Sequence, residues 1–164
     1  MTLLDASRRP QYSPLDPSAH LLHPRPGSPT SLSAHFPPNT IHPTYQSTYY
    51  PSRLGETLED LLLRAHLFLV AFLHRLEAEH PEVKTVALLG HAASVIALGR
   101  ALTGDKDLEV TAGCCTVSTY KLKGGKRAEG GAAATVGEWE ITKNGYAGFL
   151  EKGVERNWSV SRFR

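Results

Sequence analysis

The sequence predicts an α/β fold, a sheet layer covered by helices, set behind a proline-rich N-terminal segment. Three observations predict it. Val83-Lys-Thr-Val-Ala-Leu-Leu-Gly90 is an apolar, β-branched run that stops at a glycine, passes His91 and enters a helical pattern. That is how a buried parallel strand feeding a helix reads. The order helix, strand, helix, strand, strand belongs to a layered architecture and not to a bundle. Ten of the eleven prolines lie between Pro10 and Pro51, and Gly27 is the only glycine before Gly55, so core positions begin late.

Residues 1–53 read as extended coil, punctuated by Arg9-Pro10, His23-Pro24-Arg25-Pro26, Phe36-Pro37-Pro38 and His42-Pro43. Residues before prolines are pushed toward extended geometry, so no helix is expected there. Residues 1–35 are expected to be disordered and 36–164 to form the domain, with Phe36, Ile41, Tyr45, Tyr49 and Tyr50 available to anchor its start. His20 and His23 have metal-like spacing but no acidic or cysteine partners nearby, which argues against a metal site.

The first long helix is expected from Thr57 to Glu79, with Thr57 and Asp60 imitating a capping box. Leu58, Leu61, Leu62, Ala65, Leu69, Phe72, Leu73 and Leu76 form its apolar stripe, with Arg64, His66 and His74 as boundary residues. His80-Pro81 ends it. A strand over 83–89 and a helix over 93–102 follow, the helix closed by Thr103-Gly104-Asp105. Residues 115–122 and 137–142 alternate as strands, with Trp139 and Ile141 on one face and a mobile hairpin loop over 123–131 between them. Asn144-Gly145 predicts a turn, and Phe149, Leu150, Trp158 and Phe163 a tail that packs back.

With 164 residues the length suits a single domain, but the globular part lies nearer Pro51 to Trp158, a marginal size for a core. A formal charge of +2 is too slight to argue for nucleic acid or a membrane. Lys121, Lys123, Lys126 and Arg127 read as a solvated hairpin face, and direct nucleic-acid binding is not expected. No apolar run is long enough to span a bilayer, and the N-terminus shows no signal-peptide core. Cys114 and Cys115 are neighbours, which excludes an ordinary loop-closing disulfide between them and predicts two buried thiols in a reducing compartment. Asn157-Trp158-Ser159 fits the glycosylation pattern, which without a secretory signal reads as chance. The expected location is intracellular, cytoplasm or nucleus.

His91 is the leading chemical candidate. It stands where a parallel strand would end and a helix begins, where ligands bind in open α/β sheets and where free N–H groups and the helix dipole favour an anion. A serine-hydrolase elbow fails, because Ala92 and Ser94 stand where serine and glycine are needed. A phosphate loop over 124–131 fails too, since Gly-Lys-Arg leads into glycine and alanine between strands. A cysteine nucleophile needs a base, and the sequence alone brings no base to Cys114 or Cys115. Phosphoryl chemistry at a histidine remains.

The chain resembles the C-terminal half of the histidine phosphatase superfamily, the phosphoglycerate mutase-like family. The resemblance rests on residues 49–57 (Tyr-Tyr-Pro-Ser-Arg-Leu-Gly-Glu-Thr) with Arg64, on residues 88–104 around Gly90-His91, on Gly113-Cys-Cys-Thr-Val-Ser118 and on Trp139-Glu-Ile-Thr-Lys-Asn-Gly145. It spans about Phe36 to Trp158. Within the superfamily the chain looks most like the fungal group near the tau-55 subunit of transcription factor IIIC, on residues 149–158. The resemblance implies part of a three-layer α/β/α domain, with His91 as the second, phosphate-contacting histidine and Ala92 beside it on the phosphate. It implies no cofactor and no metal. The family's nucleophile lies in an Arg-His-Gly motif, which occurs nowhere in this sequence, and its second phosphate-binding arginine belongs to the same absent half. Where its acidic proton donor would stand, residues 12–22 hold Asp16 in an unmatched context.

Loss of a nucleophile removes most of the rate of a catalytic unit. The expectation is therefore a partial phosphatase-family domain without activity. An active form would take phosphate or a phosphorylated small molecule. The alternative is a non-catalytic interaction module, of an RNA polymerase III transcription factor, with other subunits as partners and no membrane. A truncated reading of a longer gene, a genuine short form and a degenerate domain all fit, the first being the expectation.

Overall fold

The structure, a computed structural model, describes residues 27–53, 55–125 and 135–158. His20, His23, Asp16, Lys126, Arg127 and Phe163 lie outside the described residues. The chain divides into two units, Met1–Thr57 and Leu58–Arg164.

Among the described residues the first unit holds one short helix, α1, Pro29–Ser33, where uninterrupted coil was expected. Ser28 caps it, its hydroxyl accepting the Ser31 N–H at 3.1 Å. Pro29 takes the first helical position, where a missing N–H costs nothing and a fixed φ helps. Proline here starts a helix instead of forbidding one. Phe36, Tyr45, Tyr49 and Tyr50 are exposed, not core anchors, and Ile41 is half-buried. The physical reason is plain: none of the described residues 27–57 is buried, so the described part of this unit offers no core of its own.

The second unit is mixed α/β. It contains α2, Leu58–Glu79, and α3, Ala92–Thr103. Its strands are β1, Ala112–Cys114; β2, Val117–Leu122; β3, Trp139–Tyr146; and β4, Glu155–Trp158. They pair as two antiparallel ladders, β1 with β4 and β2 with β3. α2 buries Ala65 and Leu69 of the expected stripe and packs against α3, with Phe68 stacked on Phe72 along it. Leu63 and Leu67 are left exposed on another face, as are His66 and His74.

The core centres on Ile96 of α3, packed with Val110 and Ala112 and flanked by Ala92, Val95, Leu108 and Trp158. The segment 108–112 is gripped mostly by side chains. Arg100 Nε donates to the Leu108 carbonyl at 3.1 Å. Asn144 Nδ2 donates to the Glu109 carbonyl at 2.8 Å while its Oδ1 accepts the Thr111 N–H at 2.8 Å. Asn157 Oδ1 accepts the Ala112 N–H at 3.0 Å. Each bond satisfies a main-chain group, and Leu108, Glu109 and Thr111 lie outside any described strand.

Asn144-Gly145 is therefore not the expected turn. Both residues lie inside β3, and Gly145 has φ +63. A Cβ there would run into the Thr111 side chain, so only glycine admits this approach. The register shifts opposite this point, between Val117 and Tyr120, where β2 meets β3. Gly104, at φ +72, ends α3 as expected, and the Gly137 N–H adds a bond of 3.0 Å to the Leu102 carbonyl.

α3 rests on β2 through Gly99, where a Cβ would collide with the Tyr120 hydroxyl. Tyr120 Oη is buried without a hydrogen-bond partner among the described residues. Burial pushes its phenol above the ordinary 10.0, with the Ser118 hydroxyl nearby opposing the shift. The Ser118 oxygen itself accepts the Gly145 N–H at 3.0 Å, and no bond to Oη meets hydrogen-bond geometry.

The expected parallel strand over 83–89 is not formed. Val86, Leu88 and Leu89 are exposed, Leu89 at 95 %. A parallel strand needs a neighbour to bond, and every described strand is committed to one of the two antiparallel ladders.

Replacing Asn144 by Ala removes both of its bonds and lowers stability by about 1–2 kcal/mol in urea unfolding, with an unchanged m-value. Gly99→Ala costs about 1–3 kcal/mol through overpacking. Tyr120→Phe alone is neutral or stabilising, because it deletes an unpaired buried hydroxyl, and it relieves Gly99→Ala. Because the folded phenol titrates above 10.0, its contribution is intact below that pH. It is lost as pH climbs through the higher folded value, and Tyr120→Phe abolishes that loss.

Candidate functional site

The candidate site is the corner where α3 begins. Helical geometry starts at Ala92, and His91 is its N-cap in extended conformation, φ −81 and ψ 161. The His91 carbonyl accepts the Val95 N–H at 2.9 Å, closing the first turn. The His91 imidazole is exposed and makes no side-chain capping bond. Ser, Thr, Asp or Asn would normally satisfy the helix start from this position. Imidazole does so poorly, and this leaves the first N–H groups of α3 free of a side-chain cap. Ala92 is half-buried and packs on the core, so the helix start is fixed even though the histidine is not.

What leads into this corner is open. Val83 donates to the His80 carbonyl at 3.1 Å, the last bond before α3. From Lys84 to Gly90 no hydrogen bond reaches another described residue. A strand that carried His91 to the rim of a sheet would hold the imidazole against its neighbours; an unpaired segment holds only its backbone link to α3. The structure thus brings together His91 and the amides of the α3 first turn, and among the described residues it adds no second catalytic group from the sequence reading.

The other candidates fall elsewhere. Cys114 and Cys115 are both exposed, not the expected buried thiols. Cys114 is the last, exposed residue of β1, and Cys115 turns left-handed at φ +57 just beyond the strand, also exposed. Lys121 and Lys123 are exposed at the end of β2, while the rest of that basic cluster lies outside the described residues. Trp158 packs on the core as the tail was expected to do, whereas Phe149 is exposed. Among the described residues no group of three metal-ligating side chains gathers, and no helix is long and apolar enough to cross a membrane.

Three residues that matter to the architecture carried weak sequence signals. Asn144 reads as turn chemistry and Asn157 as a chance glycosylation pattern, yet both amides grip the segment 108–112. Tyr120 alternates like any strand residue, and nothing in the sequence marks its hydroxyl as unpaired.

No family description matches the chain. It is similar to the transcription factor tau 55 kDa subunit of Saccharomyces cerevisiae, at 30% identity over 145 residues, which cover 76% of this chain and 33% of that protein. The chain thus spans about a third of the length of the relative it matches.

An exposed, non-capping N-cap should be improvable. His91→Asp raises stability by about 0.5–1 kcal/mol, since a carboxylate accepts the orphan N–H groups and suits the helix dipole. Leu89→Lys changes stability by less than about 0.5 kcal/mol, as for any exposed position. A loss of several kcal/mol at Leu89 would mean that 83–89 is buried after all.

Proposed function

We propose that this chain is a non-catalytic, tau-55-like module of a transcription factor IIIC assembly, carried by residues 36–164 and acting through its surface in the nucleus. The observation that carries this reading is the 30% identity to the yeast tau 55 kDa subunit, maintained over 76% of the chain. The site supports it from the other side. His91 is exposed and its approach segment is unpaired among the described residues.

The three-layer histidine-phosphatase relationship belongs to the same proposal, as ancestry. On that view His91 and Ala92 mark a former phosphate corner, the imidazole beside the first amides of α3. Such a corner contacts a phosphate at most. Hydrolysis needs a nucleophile, cations on the equatorial oxygens and an acid for the leaving group, and a helix start with one imidazole supplies only part of the clamp.

Two measurements test the reading. Affinity capture with the tagged full chain from yeast nuclear extract, with bound proteins identified by mass spectrometry, is expected to enrich transcription factor IIIC subunits; a capture free of them overturns the assignment. Hydrolysis of an aryl phosphate between mildly acidic and neutral pH is expected to match a His91→Ala control. Turnover that disappears in the control would reinstate an enzyme.

A further inference from the structure

Cysteine is among the most consistently buried residue types, yet Cys114 and Cys115 are both exposed. Packing does not account for them, and the proposed module role makes no use of them. Their setting is firm. The Gly113 carbonyl accepts both the Thr116 N–H, at 3.3 Å, and the Thr116 hydroxyl, at 3.0 Å, which closes a tight turn around the two cysteines. Gly113 is wedged below, since a Cβ on it would come within 2.6 Å of Val154 Cγ1 and 2.8 Å of the Glu155 carbonyl oxygen. Cys114 is itself a ladder residue, opposite Glu155 of β4.

Two thiols on successive residues have restricted choices. Neighbouring Cα atoms stand about 3.8 Å apart across a trans peptide. Unstrained disulfides want about 4.4–6.8 Å, so joining the two sulfurs directly is disfavoured and the pair persists as a dithiol. A ligand atom placed between the sulfurs lengthens the bridge and removes that strain. Soft thiolate donors select soft centres, and two donors held on one turn convert the second bond into an intramolecular event.

We infer that Cys114 and Cys115 form a chelating vicinal dithiol that captures one thiophilic centre with two exchangeable positions, of the trivalent-arsenical class. For an arylarsonous acid the step is a plain exchange. Two As–O bonds break and two As–S bonds form. The two hydroxyls leave with the two thiol protons as two waters, and arsenic keeps its oxidation state. The site is independent of the tau-55-like role and of His91.

The test uses the full chain, reduced with a phosphine, and phenylarsine oxide, which hydrates to the arylarsonous acid. Intact-mass measurement is expected to show one arsenical per chain, retained against excess monothiol and released by a dithiol chelator. Cys114→Ser and Cys115→Ser, both at exposed positions and checked for folding by circular dichroism, each bind about a hundredfold or more weakly and lose the ligand to monothiol. Three results would overturn the inference: no adduct on the folded, reduced chain; an adduct as labile as that of the single variants; or an arsenical that links two chains in place of two neighbouring residues.

Discussion

The Leu58–Arg164 unit depends on how the five residues Leu108–Ala112 are held. Their even members point inward, with Leu108, Val110 and Ala112 meeting Ile96 of α3. Four of their main-chain groups are bound by side chains: Arg100 on Leu108, Asn144 on Glu109 and Thr111, Asn157 on Ala112. Two carboxamides thus do the work of a ladder. They also connect elements distant in sequence, since β3 supplies Asn144 and β4 supplies Asn157. Releasing either would loosen the backbone that presents Val110 and Ala112 to Ile96.

That constraint explains which parts of the fold were legible in the sequence. The two long helices followed from the 3.6-residue spacing of their apolar positions and from Pro81 and Gly104 at their ends. β2 and β3 followed from alternation, with Trp139 and Ile141 on one face as expected. Asn144-Gly145 misled because local turn chemistry and a long-range carboxamide clamp use the same residue pair, and only tertiary contact with Thr111 separates them. Pro29 misled in the opposite sense, as a proline that begins a helix has the same composition as one that prevents it.

The segment 83–89 is the most instructive disagreement. Its sequence is that of a strand buried on both faces, and in the structure no described strand pairs with it and it exposes Val86, Leu88 and Leu89. Sequence pattern specifies what a strand is suited to; pairing requires a second strand. His91 inherits the consequence. The sequence identified the residue at a helix start correctly, and α3 begins beside it, but the site around the imidazole needs walls that the described residues do not provide. The coarse reading, mixed α/β with a tau-55-like segment, was accessible from motifs in order along the chain. Side-chain exposure at His91, Cys114 and Cys115 was not, because it depends on where the ladders end.

With 83–89 open, no described strand stands behind His91. Native-state amide hydrogen exchange of the full chain, monomeric and in the absence of partners, measures this directly. Lys84–Gly90 are expected to exchange at rates near those of an unstructured chain, while the interiors of α3 and of the β2–β3 ladder are protected. Protection of Lys84–Leu89 matching that of α3 would show a paired strand in solution, and would contradict the open corner and the non-catalytic reading built on it.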